Sequence, residues 1–331
     1  MRDPVPGPRA TRRTALRSVR RGSRRPGPPD PEELRRCPPG APETREAVPA
    51  WFTRALASAP EHRDVVVDGA RVHYRVWGEP SRPGLVLVHG GAAHSGWWDH
   101  VAPLLGTHRV VALDLSGHGD SDRRADYGTG QWAREVLAVA AAEGLDRPVV
   151  LGHSMGGWVA LTVGVEHGQE VAGVAVIDSP LDRQPPEEQR VRARSLGQRV
   201  YADLGAAVAR FRTLPPQEVY LPHVREHVAR GSLRPVEGGW TWKFDPAFSG
   251  NRPPVRRLLP RLTAPAALFR CEHGLVTPDM AAEMVALVPG GLPVVDLPEA
   301  GHHPMLDQPL ALVTAVRTLL AFWPRGSAPS A

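Results

Sequence analysis

The sequence predicts an α/β fold: a doubly wound, mostly parallel eight-stranded sheet with helices on both faces and a helical cap inserted after the sixth strand. Three observations predict it. Short continuous apolar runs such as LVLVHG (85–90), RVVALDL (109–115) and VAGVAVI (171–177) suit strands buried on both faces. They alternate with segments whose apolar residues recur at helical spacing, as in QWAREVLAVAAAEG (131–144). The alternation stops at Pro180 and resumes at APAALFRCE (264–272), which leaves residues 181–262 as an insertion.

The elements follow in order. VVVDGARVHYRVWG (65–78) reads as two strands about a tight Asp-Gly turn. LVLVHG is the third strand, and WWDHVAPLLG (97–106) the short helix after it. RVVALDLSGHGDSD (109–122) is a fourth strand running into a Gly/Asp turn, followed by the 131–144 helix. PVVLGHSMGGW (148–158) reads as strand, sharp turn and helix, and 171–180 as the sixth strand. The insertion holds polar, Arg-rich helical segments, the proline pair at 215–216 and GGWTWKFDPAF (238–248), with no β run of the earlier kind. After the strand at 264–272 come a helix (278–288), the last strand (292–298) and a final helix at about 306–323.

Residues 1–48 stand apart. They are rich in Arg, Pro and Gly and have no apolar h-region, which excludes a secretory signal. They cannot bury enough apolar surface to offset ordering, so a disordered tail is expected. The tail holds twelve Arg against six acids, so the net charge of +5 resides in it and residues 49–331 are near −1. Contact with nucleic acid or an anionic membrane suits such a tail, as does no role at all, and the folded body has no nucleic-acid signature. No apolar run of 18 residues predicts a transmembrane helix. The two cysteines, Cys37 and Cys271, lie one in the tail and one in the body. A structural disulfide is therefore not expected, and a reducing, cytoplasmic setting fits. No Cys/His spacing suggests a metal. SGHGDSD contains G-x-G but lacks the third glycine and downstream acid of a dinucleotide site, so no cofactor is expected. The sequence leaves the oligomeric state open.

Gly152-His153-Ser154-Met155-Gly156 fits G-x-S-x-G between an apolar strand and a helix. A serine on a strained strand-to-helix turn needs neighbours without side chains, so that strand and helix close in and the hydroxyl stands exposed. Ser154 is the candidate nucleophile.

With these features the chain resembles the α/β-hydrolase family, in its serine-hydrolase branch with a cap, over roughly residues 62–323. His89-Gly90-Gly91 is similar to that family's oxyanion loop, SGHGDSD (116–122) to its turn after the fourth strand, and AGHHPMLDQP (300–309) to its catalytic-histidine loop. The resemblance implies His302 as the base, with His303 its neighbour and competitor, and the backbone N–H groups of Gly91 and Met155 as oxyanion donors. A serine at the elbow argues against the epoxide-hydrolase and haloalkane-dehalogenase branches, which use an aspartate there.

The third member of the set departs from the pattern. The family places an acid in the loop after the seventh strand as G-x-x-D; here Cys271 stands at the glycine position and Gly274 at the aspartate position. Glycine cannot orient a histidine. Asp178, at the end of the sixth strand, is the preferred acid, Glu272 is the alternative, and Asp279 is expected to cap or pair within its helix. Asp307 is expected to support the histidine loop. His153 reads as a packing residue of the elbow. His94, Trp97, Trp98, Trp158, Trp240 and Trp242 are candidate pocket residues, which would favour a small apolar or aromatic acyl substrate.

The expected function is hydrolysis of an ester or related acyl compound through an acyl-enzyme. Thioester, lactone and C–C cleavage, perhydrolysis, lyase chemistry and a slow or non-hydrolytic ligand receptor are the alternatives on the same scaffold.

Overall fold

The computed structural model describes residues 47–181, 199–250 and 255–323. The tail expected over residues 1–48 lies, but for its last two positions, outside these. β1 (Glu61–Val67) and β2 (Ala70–Trp77) form a hairpin about Asp68-Gly69, whose φ angles of +45° and +79° match a two-residue turn that follows strand twist. β3 (Gly84–Val88), β4 (Arg109–Leu113), β5 (Val149–His153) and β6 (Gly173–Ile177) are the continuous apolar runs, and every residue of all four is buried. A short hairpin, β7 (Leu233–Val236) and β8 (Gly239–Trp242), lies in the insertion. β9 (Ala266–His273) and β10 (Val294–Gly301) complete the main sheet.

The eight-stranded sheet has the order β1-β2-β4-β3-β5-β6-β9-β10. β2 runs antiparallel to β1 and β4, and the remaining neighbours are parallel. Alternate residues of β3 serve different cores. Leu85 and Leu87 pack with Phe52, Leu312 and Val316 on one face. Val86 and Val88 pack with Trp132, Val136 and Val159 on the other. Helices therefore cover both faces, and each fully buried aliphatic side chain contributes about 1.5–3 kcal/mol. β3 sits between β4 and β5, so the winding direction reverses there and a crevice opens at the carboxyl ends of the strands.

Four local features differ from the expectation. Residues 97–106 form no single helix but two 3-10 turns, Ser95–Trp98 and Ala102–Leu105. The His94 ring caps the first, and Pro103, which cannot donate, sits at the start of the second. The insertion is not purely helical: besides helices Leu204–Ala209 and Pro222–Gly231 it contains the β7–β8 hairpin, turned at Gly238 with φ +82°. The last helix is broken at Gln308 into Pro304–Asp307 and Pro309–Phe322, because Pro309 starts a new helix. A helix at Ala50–Ala57, which the sequence reading missed, buries Phe52 and Ala55. Among the described residues no helix is long and apolar enough to cross a membrane.

Candidate active site

Strand register sets the site. His153 of β5 pairs with Ile177 of β6, and Ile177 pairs with Phe269 of β9. The residues that follow, Ser154 and Asp178, thus leave the sheet side by side at its carboxyl edge. Ser154 has φ +53° and ψ −115°, a conformation that serine rarely adopts. Its flanking glycines make this turn possible. A Cβ on Gly152 would overlap the Gly156 carbonyl, and one on Gly156 would overlap the carbonyls of Val88 and His89. The Ser154 N–H donates to the Ile177 carbonyl at 2.9 Å, and the Ser179 hydroxyl donates to the Ser154 carbonyl at 2.8 Å.

His302 follows Gly301, the residue of β10 paired with His273 at the end of β9. Its Nε2 lies 3.0 Å from Ser154 Oγ, and its Nδ1 lies 2.6 Å from Asp178 Oδ2. Asp178 is fully buried, and its two carboxylate oxygens also accept the N–H groups of Leu275 at 2.6 Å and Val276 at 3.0 Å. Three donors thus surround the carboxylate, which compensates its burial.

Gly274 is where this arrangement departs from a G-x-x-D loop. A Cβ on Gly274 would overlap the Asp178 carboxylate. The space that an acid after β9 would occupy is therefore filled by the acid from β6. Glu272, the alternative, points elsewhere: it is exposed and accepts the Glu299 N–H at 2.9 Å. Asp279 lies in the first turn of helix Pro278–Leu287, which Thr277 caps.

The surrounding histidines are locked as neutral rings. His153 Nε2 donates to the His302 carbonyl at 2.8 Å, and burial pulls its pKa down to about 3. His89 bridges the Gly90 carbonyl (2.7 Å) and the Leu115 N–H (3.1 Å), tying the 89–91 loop to the end of β4. His94 accepts the Gly96 N–H at 3.1 Å and donates to Ser232 Oγ of the cap at 3.1 Å; burial lowers its pKa to about 3. One ring nitrogen from each of His153, His302 and His303 lies within 4.8 Å of the other two. Both His302 nitrogens face partners already, so no metal is needed to explain the cluster. Asp307 Oδ2 accepts the Gly301 N–H at 2.7 Å and the Gln217 amide at 3.0 Å, while Gln217 Oε1 accepts the His303 N–H at 2.9 Å. Gln217, a cap residue beside the proline pair, thus staples the histidine loop. No local sequence signal marked it, nor Ser179.

A cavity opens between the loop that follows β3, the histidine loop and the insertion. Gly91, Trp97 and His303 line it from below, and Phe211, Trp242 and Phe244 from the cap. Of the six candidate pocket residues, Trp97 and Trp242 reach this cavity. His94 does not line it, because its ring is engaged with Ser232, which does. Trp98 is wholly in the core, and Trp158 is buried beneath the elbow with its Nε1 donating to the Pro180 carbonyl at 3.0 Å. Trp240 is half-buried and pairs through its backbone with Tyr201.

Comparisons with known proteins agree with this architecture. Residues 85–316 match the profile of the alpha/beta hydrolase family. An esterase of Mycobacterium tuberculosis is 29% identical over 255 residues, spanning 74% of this chain and 84% of its own length. A 3-hydroxybutyrate-oligomer hydrolase of Cupriavidus necator is 28% identical over 284 residues, spanning 74% of this chain and 91% of its own. Among solved structures, the thioesterase domain from the curacin biosynthetic pathway superposes with a TM-score of 0.66 at 21% identity, over 78% of this chain and 99% of that one, a likeness of fold. The chain belongs to the alpha/beta hydrolase family.

Proposed function

We propose that this chain is a serine hydrolase of carboxylic esters working through a covalent acyl-enzyme. The observation that carries the reading is the unbroken line of contacts from Ser154 Oγ through His302 (3.0 Å) to Asp178 (2.6 Å) on a strained elbow. Ser154 Oγ attacks the ester carbonyl carbon while His302 Nε2 takes its proton. The N–H groups of Met155, at the open end of its helix, and Gly91 receive the charge on the carbonyl oxygen. His302 returns the proton to the departing alkoxide, so an alcohol leaves and Ser154 holds the acyl group. A water, deprotonated by His302, then attacks that acyl carbon and regenerates the serine. Asp178 holds the Nδ1–H of His302, fixing its tautomer and stabilising the imidazolium. The names of the relatives, an esterase and an oligomer hydrolase, support the ester class. The aromatic side chains of the wall, Trp97, Phe211, Trp242 and Phe244, support a small acyl group with an apolar part, beside the polar Thr213, Ser232, Arg210 and Arg212.

The experiment is the initial rate of p-nitrophenyl butyrate hydrolysis by the wild type, Ser154→Ala, Asp178→Asn and Glu272→Gln. Turnover is expected in the wild type and in Glu272→Gln, with losses of up to ~10⁴-fold in Asp178→Asn and more in Ser154→Ala. No turnover by the wild type on p-nitrophenyl esters of two to eight carbons would overturn the ester reading. Full activity in Asp178→Asn would overturn the assignment of the acid.

A further inference from the structure

Two side chains of the cavity wall carry polar atoms that make no hydrogen bond of ordinary geometry within the protein. Trp97 is 5% exposed, and its Nε1–H makes no hydrogen bond among the described residues. His303 is 4% exposed, and neither ring nitrogen makes a hydrogen bond of ordinary geometry, although the Pro215 carbonyl is near enough to act on the ring. Both residues line the cavity, and their ring centroids are 5.5 Å apart. His303 also lies against the base: its ring centroid is 4.6 Å from that of His302. Other buried atoms among the described residues, such as Trp98 Nε1 and His118 Nε2, are also unpaired, but Trp97 and His303 are the ones that line the cavity, where a partner entering with the substrate can reach them. The other polar residues of the wall are engaged or exposed: Ser232 bonds His94 and the Val228 carbonyl, Thr213 bonds the Tyr220 hydroxyl, and Arg210 and Arg212 are exposed.

The chemistry of the pair narrows that partner. An indole only donates. Burial, with His302 and His153 beside it, holds His303 well below the usual histidine range. It is therefore neutral near pH 7 and offers one donor and one bare nitrogen. A hydroxyl satisfies both sides: its oxygen accepts from Trp97 Nε1–H, and its O–H donates to the bare imidazole nitrogen. A carboxylate has no proton for that nitrogen, and a plain alkyl chain leaves both groups unmet.

We propose that Trp97 and His303 select an acyl group bearing a hydroxyl a few bonds from the ester carbonyl. This rests on the ester-hydrolase reading above and names the substrate class of that site.

The test compares kcat/KM for p-nitrophenyl 3-hydroxybutyrate and p-nitrophenyl butyrate in the full-length wild type, Trp97→Phe, His303→Phe and Trp240→Phe. The wild type is expected to prefer the hydroxyacyl ester by about tenfold or more, because the unsubstituted chain leaves buried polar atoms unpaired. The ratio should fall toward one in Trp97→Phe and His303→Phe, mainly through KM for the hydroxyacyl ester, and persist in Trp240→Phe. A purely structural role would lower both esters alike and leave the ratio intact. A wild-type ratio near one, or a ratio unchanged in both cavity variants, overturns the proposal. If neither ester is turned over, the ester reading falls, and binding to Ser154→Ala decides the pocket. Tighter binding of 3-hydroxybutyramide than of butyramide then upholds the assignment, and equal Kd values overturn it.

Discussion

Asp178 has φ +45°, a backbone conformation that aspartate tolerates better than most side chains because its short polar group bonds locally. That turn aims its carboxylate across the end of β9 at the N–H groups of Leu275 and Val276 and at His302. Gly274 lies beneath it and is small because the carboxylate occupies its side-chain space. Two outcomes are expected. Gly274→Asp in the wild type should abolish ester turnover and lower Tm, since two carboxylates would compete for one buried site. In the Asp178→Gly background, Gly274→Asp should restore turnover at least about tenfold over Asp178→Gly alone, because the vacated volume accepts an acid from the neighbouring strand. Failure of the double variant to exceed the single one, both folded by circular dichroism, would show that the two strand ends are not interchangeable positions for the acid.

At the scale of the element, the elbow is a packing problem before it is a chemical one. β5, β3 and the helix Met155–Glu166 meet so closely that Gly152 and Gly156 face backbone carbonyls with no room for a methyl. Gly152→Ala must therefore push the strand and helix apart. A cost of about 2–3 kcal/mol is expected, which lowers Tm by ~5–10 °C for a domain of this size. Turnover should fall even at temperatures where the chain stays folded, because Ser154 moves away from His302. Thermal melts and rates measured on one preparation check both. The elements that the sequence misrepresented share a physical cause. Residues 97–106 were read by apolar spacing, but Gly96, Pro103 and Gly106 do not sustain an α-helix, and a side-chain cap from His94 set the first turn instead. In the cap, Gly238-Gly239 at positive φ made a hairpin of a stretch whose strands are only four residues each, too short to stand out as β runs.

Across the whole molecule, buried neutral histidines set a limit on acid stability. Burial holds His94 and His153 down to about 3 and His100 down to about 4. In the unfolded chain these groups take up protons near 6.5. Their folded-state pKa values are lower, so the unfolded state binds protons first as pH falls. The stability they contribute is complete above about pH 6.5 and declines from there toward about pH 4 for His100 and about pH 3 for His94 and His153. Each group removes about 1 kcal/mol between pH 6.5 and 5.5. Urea midpoints should therefore fall steeply between pH 7 and pH 5. Midpoints that stay level over that range would mean these rings are already charged, or solvated, in the folded protein.

The sequence alone determined the class of the fold and the identity of the elbow. Apolar runs, helical spacing and small residues at an obligatory tight turn are local properties, written in consecutive residues such as Gly152-His153-Ser154-Met155-Gly156. His302 was legible through its loop and its position after the last strand. The register of β5, β6 and β9 decided which carboxylate faces His302, and that depends on residues 97 positions apart, Asp178 and Leu275, meeting at one sheet edge. Tertiary structure also decided which tryptophans face the cavity. Trp97 and Trp98 are neighbours in sequence and alike in chemistry, yet one lines the cavity and the other fills the core, because successive residues of a turn point in different directions. Gln217 and Ser179 carry no local mark for the same reason: each acts on a loop that only the fold brings to it.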